Sequence, residues 1–345
     1  MNPVLKDYLP LIEEMMNAMR HQEHIYQPGE YWIRKAQVSY REILRKGISD
    51  FRGSSSLIGD SYSDNSELDV RLRYVHGLRF MLGFASKLFP LSKVFDAQVG
   101  LTRSYMTQAN LAMEHALLNS PRIAELLQRY QVPYSLLGGC VKSVKVGNST
   151  HALSYLNMLD QHSRMAEAID FSGVKVVAEI GGGFGANIHI LLANYPSIRK
   201  VLYLDIPPNL YIGTQYLRAF YPDAIRDFLQ LKDEKKIQFS SDDTLEIFCI
   251  PPWLIENISI KIDIFMNAHS FVEMPQEVVA NYGQKILQNA GDKLAVSLIT
   301  YDQHDPKTTF DPKMLPSFFP NLTASSFTAK SLVDPRRENL YFKLD

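Results

Sequence analysis

Two hydrophobic periodicities divide the chain. Over residues 3–19, 32–45, 68–85, 95–119 and 121–131 apolar side chains recur at helical spacing, which predicts helices with one buried face. Pro28-Gly29, Lys46-Gly47, Pro90 and Pro121 punctuate them, and Ser120-Pro121 has the form of an N-cap with a first-turn proline. Residues 52–69, RGSSSLIGDSYSDNSELD, interrupt the pattern and predict a long surface loop. A short alternating run at 141–146 predicts a strand, and 151–169 predicts a helix.

From residue 174 the apolar positions come instead as short continuous runs. Residues 174–180, 200–204, 244–250, 262–267 and 293–301 predict strands buried on both faces. Helical spacing at 186–194, 209–220 and 276–289 falls between them. Pro207-Pro208 reads as a turn, and the charge-dense 229–236 as solvated surface. Residues 312–319 predict a short helix, and 322–329 and 339–344 two final strands joined by a turn at Asp334-Pro335. Strand and helix alternating through short links predict an α/β fold with a parallel sheet covered on both faces. The chain thus divides into an α-helical N-terminal cap or substrate domain over 1–150 and a catalytic domain over 151–345.

The head of the second domain carries the densest chemical signal. Residues 174–205 read VKVVAEIGGGFGANIHILLANYPSIRKVLYLD, a strand, a glycine turn, a helix and a second strand ending on an acid. Gly181, Gly182, Gly183 and Gly185 permit positive φ and let a ligand approach backbone where a Cβ would collide. Asp205 stands 24 positions after Gly181, where a carboxylate can accept hydrogen bonds from both ribose hydroxyls. Together these form a nucleotide-binding βαβ unit. Gly181-x-Gly183-x-x-Ala186 fits the NAD fingerprint, and Glu179, Gly181, Gly183 and Gly185 fit E-x-G-x-G-x-G, which binds S-adenosylmethionine. Glu179 favours the second reading, because a carboxylate suits the cationic amino end of a methionine moiety and repels a pyrophosphate. A NAD-dependent oxidoreductase stays as the alternative.

Composition narrows the partners. Hydrophobic residues make up 46% and charged residues 21% of 345, an ordinary globular balance. A formal net charge of −1 gives no bulk attraction to nucleic acid or an acidic membrane. Two cysteines, Cys140 and Cys249, make neither a disulfide framework nor a metal motif and fit a reducing cytoplasm. The N-terminus lacks a signal-peptide pattern, and no apolar stretch is long enough to predict a membrane span. Oligomerisation with a second copy stays open.

Glu179-Ile-Gly-Gly-Gly-Phe-Gly185, Leu204-Asp205-Ile206-Pro207 and Asn267-x-x-Ser270-x-x-Glu273-Met274, with Tyr282 downstream, resemble the bacterial sugar O-methyltransferase family. The resemblance spans roughly residues 146–301 and is looser before that. It implies a Rossmann-like, seven-stranded class I methyltransferase sheet whose last two strands form a hairpin. It also implies S-adenosylmethionine as cofactor, S-adenosylhomocysteine as product, and a sugar hydroxyl in a glycan or small molecule as acceptor. A polyketide or aromatic hydroxyl, or an inactive partner subunit with the same fold, are the other readings.

A hydroxyl acceptor needs positioning near the methyl donor and help in losing its proton. Ligands of open α/β sheets sit beyond the carboxyl ends of the strands. After the fourth strand, His269 is the leading base, since imidazole titrates near neutrality, and Glu273 orients it, binds the acceptor or acts itself. After the fifth strand, His304 is the runner-up base. Glu179, the four glycines, Asp205, Ile206 and Asn267 form the expected cofactor set, with Ile250, Pro251 and Trp253 at the adenine. Asp242 and Asp243 are weaker candidates for an adenine-binding acid. Ser270, Tyr282 and Tyr301 fall on the acceptor side, with Asn148 and Tyr155 as further candidates. His269 and Glu273 lack a convincing third ligand, so no metal site is assigned and a divalent requirement stays open.

Overall fold

The computed structural model describes residues 3–52, 120–140, 143–300, 308–320, 322–325 and 338–344. The loop and helices expected between 53 and 119, the turn at Asp334-Pro335, and Tyr301 and His304 lie outside these described residues. The N-terminal periodicity yields α1 (Leu9–Met19), α2 (Glu30–Lys46) and α3 (Pro121–Arg129). Helix α1 buries Leu11, Ile12, Met15, Met16 and Met19, the spacing of a single helical face. Gly47, at φ 70°, ends α2 in a conformation that disfavours other residues.

The expected strand near 141 is β1 (Ser143–Val146), and it is half of a hairpin with β2 (Ser149–Ala152). Gly147 at φ 59° turns the chain between them. Helix α4 (Leu153–Ala168) therefore starts later than its periodicity predicts. Asp160 on α4 takes Arg164 at 3.0 Å and Arg122 of α3 at 3.3 Å, which locks these helices together.

The chain continues with β3 (Val176–Ile180), α5 (Ala186–Asn194), β4 (Lys200–Leu204), α6 (Pro207–Phe220), β5 (Ile225–Arg226) and β6 (Glu246–Ile250). It continues through β7 (Ile262–Ala268), α7 (Gln276–Gln288), β8 (Ala290–Thr300), β9 (Leu322–Ser325) and β10 (Glu338–Leu344). Pro207-Pro208 opens α6 rather than a turn, because proline at the first helical positions loses no hydrogen bond. The helical turn Phe228–Leu231 buries Phe228 and Leu231, so only part of the charged stretch is surface.

Strand order is β5-β6-β4-β3-β7-β8-β10-β9. Every pairing from β5 to β8 is parallel, and β10 lies antiparallel between β8 and β9. Apart from the two-residue edge strand β5, this is the sheet of class I methyltransferases, with the inserted antiparallel last strand the resemblance implies. The chain winds outward from β3 in both directions, so the β3/β7 junction is the topological switch point.

The N-terminal helices pack onto this sheet unit. The Tyr8 N–H donates to the Tyr211 hydroxyl at 2.8 Å, Tyr211 donates to Asp7 at 3.0 Å, and Gln215 donates to the Lys6 carbonyl at 2.9 Å. Apolar residues of α1, α4, α5, α6 and the sheet form one continuous core. Among the described residues no helix is long and apolar enough to cross a membrane.

Candidate active site

Strand β3 delivers its carboxyl end into the glycine turn. Gly181, Gly183 and Gly185 take φ of 73°, 63° and 86°, and Gly185 caps α5. A Cβ on Gly181 would lie 1.9 Å from Ser270 Oγ, and one on Gly182 2.5 Å from Glu179 Oε2. The turn is therefore held against a carboxylate beneath it and a hydroxyl beside it.

Glu179 is fully buried. Its Oε1 accepts from Asn187 at 2.8 Å, while Oε2 has no hydrogen-bond partner. Burial pushes its carboxyl up to about 7, against the lowering effect of Asn187 and with a further push from Asp205. Asp205 ends β4 and accepts from the Gly183 N–H at 2.8 Å and the Ile206 N–H at 2.7 Å. Burial lifts it to about 7 as well, although these hydrogen bonds favour its charged form. Two carboxyls and a glycine-rich turn thus converge at the switch point. An orphaned carboxylate oxygen under a glycine-rich turn fits a cationic nucleoside such as S-adenosylmethionine and disfavours a pyrophosphate.

Across the junction, β7 supplies the second wall. Asn267 Nδ2 donates to the Ile180 carbonyl at 2.7 Å and to Ser270 Oγ at 2.6 Å, and its Oδ1 accepts the Phe271 N–H at 3.0 Å. Both side chains therefore fix the loop against the turn. His269 follows β7 with φ 74°, the only positive φ at a non-glycine position among the described residues. Its N–H donates to the Ile299 carbonyl at 2.7 Å, which ties the strained backbone to β8. Glu273 accepts from Trp32 Nε1 at 3.1 Å, so helix α2 reaches the rim from 241 positions away.

The remaining candidates separate. Ile250 pairs with Leu204 at the end of β6, and Pro251 is buried beside it. Trp253 is buried against Phe228, with ring centroids 5.9 Å apart. Tyr282 is buried in α7 with its ring stacked at 6.2 Å on Phe271. Two expected acceptor residues lie elsewhere. Asn148 is exposed in the β1–β2 turn, and Tyr155 is wholly buried, its hydroxyl committed to Tyr216 at 2.6 Å and His189 at 3.0 Å. Asp242 bonds to Lys200 and Ser240 at the start of β4, the end of the sheet away from the turn, so it does not reach an adenine. Among the described residues no group of three or more His, Cys, Asp or Glu could hold a metal ion.

Tyr203 escaped the sequence reading. From β4 its buried hydroxyl donates to the Gly183 carbonyl, and a Cβ on Gly213 would lie 2.0 Å from that hydroxyl. A tyrosine inside an aliphatic strand and a glycine inside a helix were the available signals. Tyr203→Phe is expected to weaken S-adenosylhomocysteine binding about threefold to tenfold and to cost about 1 kcal/mol of stability. Calorimetry and thermal unfolding read the two effects, and unchanged affinity would reduce Tyr203 to core packing.

Residues 140–227, from just before β1 through the turn and β5, match the model of an O-methyltransferase domain. No curated protein matches the chain. Among solved structures it is similar to the pyocyanin biosynthetic protein PhzM, at 11% identity and TM-score 0.38, over 55% of this chain and 57% of that one. It is also similar to the mitomycin 7-O-methyltransferase MmcR, at 18% identity and TM-score 0.37, over 56% and 55% of the two chains. A SAM-dependent methyltransferase from Aquifex aeolicus matches at 12% identity and TM-score 0.37, over 56% of this chain and 94% of that one. The chain thus spans little more than half the length of the first two. Strand order, glycine turn and matched segment together identify the fold of a class I S-adenosylmethionine-dependent methyltransferase, its cofactor cradle lying within an O-methyltransferase domain match.

Proposed function

We propose that the protein is an O-methyltransferase that moves a methyl group from S-adenosylmethionine to a hydroxyl of a small-molecule acceptor. The observation that carries this reading is the unpartnered Glu179 Oε2 beneath Gly182, with Asp205 beside the same turn. When bound, S-adenosylmethionine supplies an electrophilic methyl carbon on a positively charged sulfur. Glu179 meets the ligand's positive charge, and Asp205 accepts from ribose hydroxyls while holding the Gly183 N–H. Gly181 and Gly182 let the turn pack directly on Ser270 and Glu179, and Asn267 and Ser270 keep the neighbouring loop in register.

His269 takes the acceptor proton, and Glu273, steadied by Trp32, holds or orients the acceptor at the rim. The similarity of the segment 267–274 to the sugar O-methyltransferase family supports a sugar as the acceptor class. The test is binding followed by product. Titration calorimetry should give S-adenosylmethionine or S-adenosylhomocysteine a Kd of roughly 10⁻⁶ to 10⁻⁴ M. Mass spectrometry of sugars and nucleotide sugars incubated with the donor should then find one that gains a single methyl. Absence of heat with either compound, alongside clear binding of NAD, would replace this reading with an oxidoreductase.

A further inference from the structure

Helices α1 and α2 flank an open cavity of about 390 Å³ that the methyl-transfer reading does not use. Met16 and Met19, both buried on α1, contribute apolar surface, and Arg20, Gln37, Tyr40 and Arg41 supply polar groups. The volume lies in the usual range of small-molecule sites, roughly 300–1,000 Å³. Methionine side chains adapt to an irregular apolar body, and guanidinium forks match carboxylate and phosphate oxygens.

The charge balance points the same way. Among the described residues that line the cavity none is acidic. Among the described residues neither the Arg20 nor the Arg41 guanidinium has a hydrogen-bond or ion-pair partner. Two lysines nearby are matched: Lys46 pairs with Glu42 at 2.9 Å, and Lys232 with Glu14 at 2.7 Å. Two unpaired cations from different helices repel each other across a shared concavity, and an anion between them reverses that sign. Both arginines are exposed, and they come from two different helices to line one concavity with Met16 and Met19.

The cavity also adjoins the rim. Gln27, Pro28 and Ile33 line it, and Gly29 and Trp32 between them approach the loop after β7. A Cβ on Gly29 would lie 4.0 Å from Pro275, and Trp32 donates to Glu273. We propose that this cavity binds a small organic anion, an apolar or ring-bearing body ending in a carboxylate or phosphate. Its use as the outer part of the acceptor site rests on the methyl-transfer reading above.

Phenyl phosphate is the probe, titrated into the full chain by calorimetry with and without saturating S-adenosylhomocysteine. It should bind in both cases with a Kd of roughly 10⁻⁵ to 10⁻³ M, and benzyl alcohol at least about tenfold more weakly. The double variant Arg20→Gln, Arg41→Gln should lose phenyl phosphate affinity about tenfold or more, while its S-adenosylhomocysteine Kd stays within about twofold. Each single variant should show part of the loss. No heat with phenyl phosphate up to about 10 mM, or equal binding by the double variant, overturns the site. With an acceptor in hand, a raised KM and unchanged kcat in the double variant assigns the anion to the acceptor itself. An unchanged KM with phenyl phosphate binding still lost assigns it to a separate ligand. Loss of S-adenosylhomocysteine binding in the parent chain would sink the methyl-transfer reading and leave the cavity result standing.

Discussion

His269→Gly is expected to remove most of the turnover while making the protein more stable. The imidazole is the proposed acceptor base, and general bases typically contribute 10²- to 10⁴-fold, so kcat should fall by about that factor. Cofactor affinity should hold, since the side chain belongs to the acceptor side of the rim. Stability moves the other way because His269 sits at φ 74°. Left-handed backbone costs a residue with a Cβ roughly 1 kcal/mol, and glycine avoids that cost. Where the fold needs positive φ around the turn, it uses Gly181, Gly183 and Gly185, yet it keeps a histidine here. Strain retained next to a cofactor cradle is what a functional side chain would account for. His269→Ala is the control, since it loses the imidazole but keeps the strain. Both variants should lose turnover, and only the glycine variant should gain about 1 kcal/mol in denaturant unfolding. Turnover within about threefold of the parent would move the base elsewhere.

Local signals were readable from the chain, and long-range ones were not. The turn at 181–185 announces itself because glycine is required at positive φ, and Asp205 follows at the distance one helix and one strand impose. Buried strands such as Lys200–Leu204 are continuous apolar runs, so their bounds are read directly. Strand β5 has only two residues, too few for any periodicity. Strand β2, STHA, is hidden by its polar residues; the preceding Gly147-Asn148 was the better clue. Tyr155 is an aromatic whose ring packs 6.4 Å from that of Phe184 in the turn. It lies within the core, where burial raises its hydroxyl pKa and Tyr216 and His189 satisfy it. The site's other support is non-local. Trp32 on Glu273 joins segments whose pairing leaves no mark on either sequence alone, and Tyr203 on Gly183 leaves only a tyrosine in an aliphatic strand and a glycine in a helix.

Cofactor affinity is expected to rise with pH, and the direction distinguishes the two nucleotides that the turn's sequence fits. In the free protein the Glu179 and Asp205 carboxyls are each pushed up to about 7 by burial. Both values lie above the ordinary 4.5 and 3.8, so each group stabilises the free fold when protonated. That contribution is complete below about pH 4 and is lost as pH rises through about 7, on the order of 3 kcal/mol per group. A cationic ligand needs the opposite form. At pH 5.5 a group titrating near 7 is only about 3% ionised, so binding that requires its charge is about thirtyfold weaker than at pH 8.5. Involvement of both carboxylates steepens the dependence. S-adenosylmethionine should therefore tighten across this window, and its stabilisation of the protein against heat should grow with it. The pyrophosphate of a dinucleotide would bind more weakly as the same carboxyls ionise, giving the reverse slope. Glu179→Gln should flatten the profile and lower affinity at high pH, because an amide offers neither the proton equilibrium nor the charge. Calorimetric titrations from pH 5.5 to 8.5 measure this directly, and a Kd independent of pH in the parent chain would mean that neither carboxylate meets the ligand's charge.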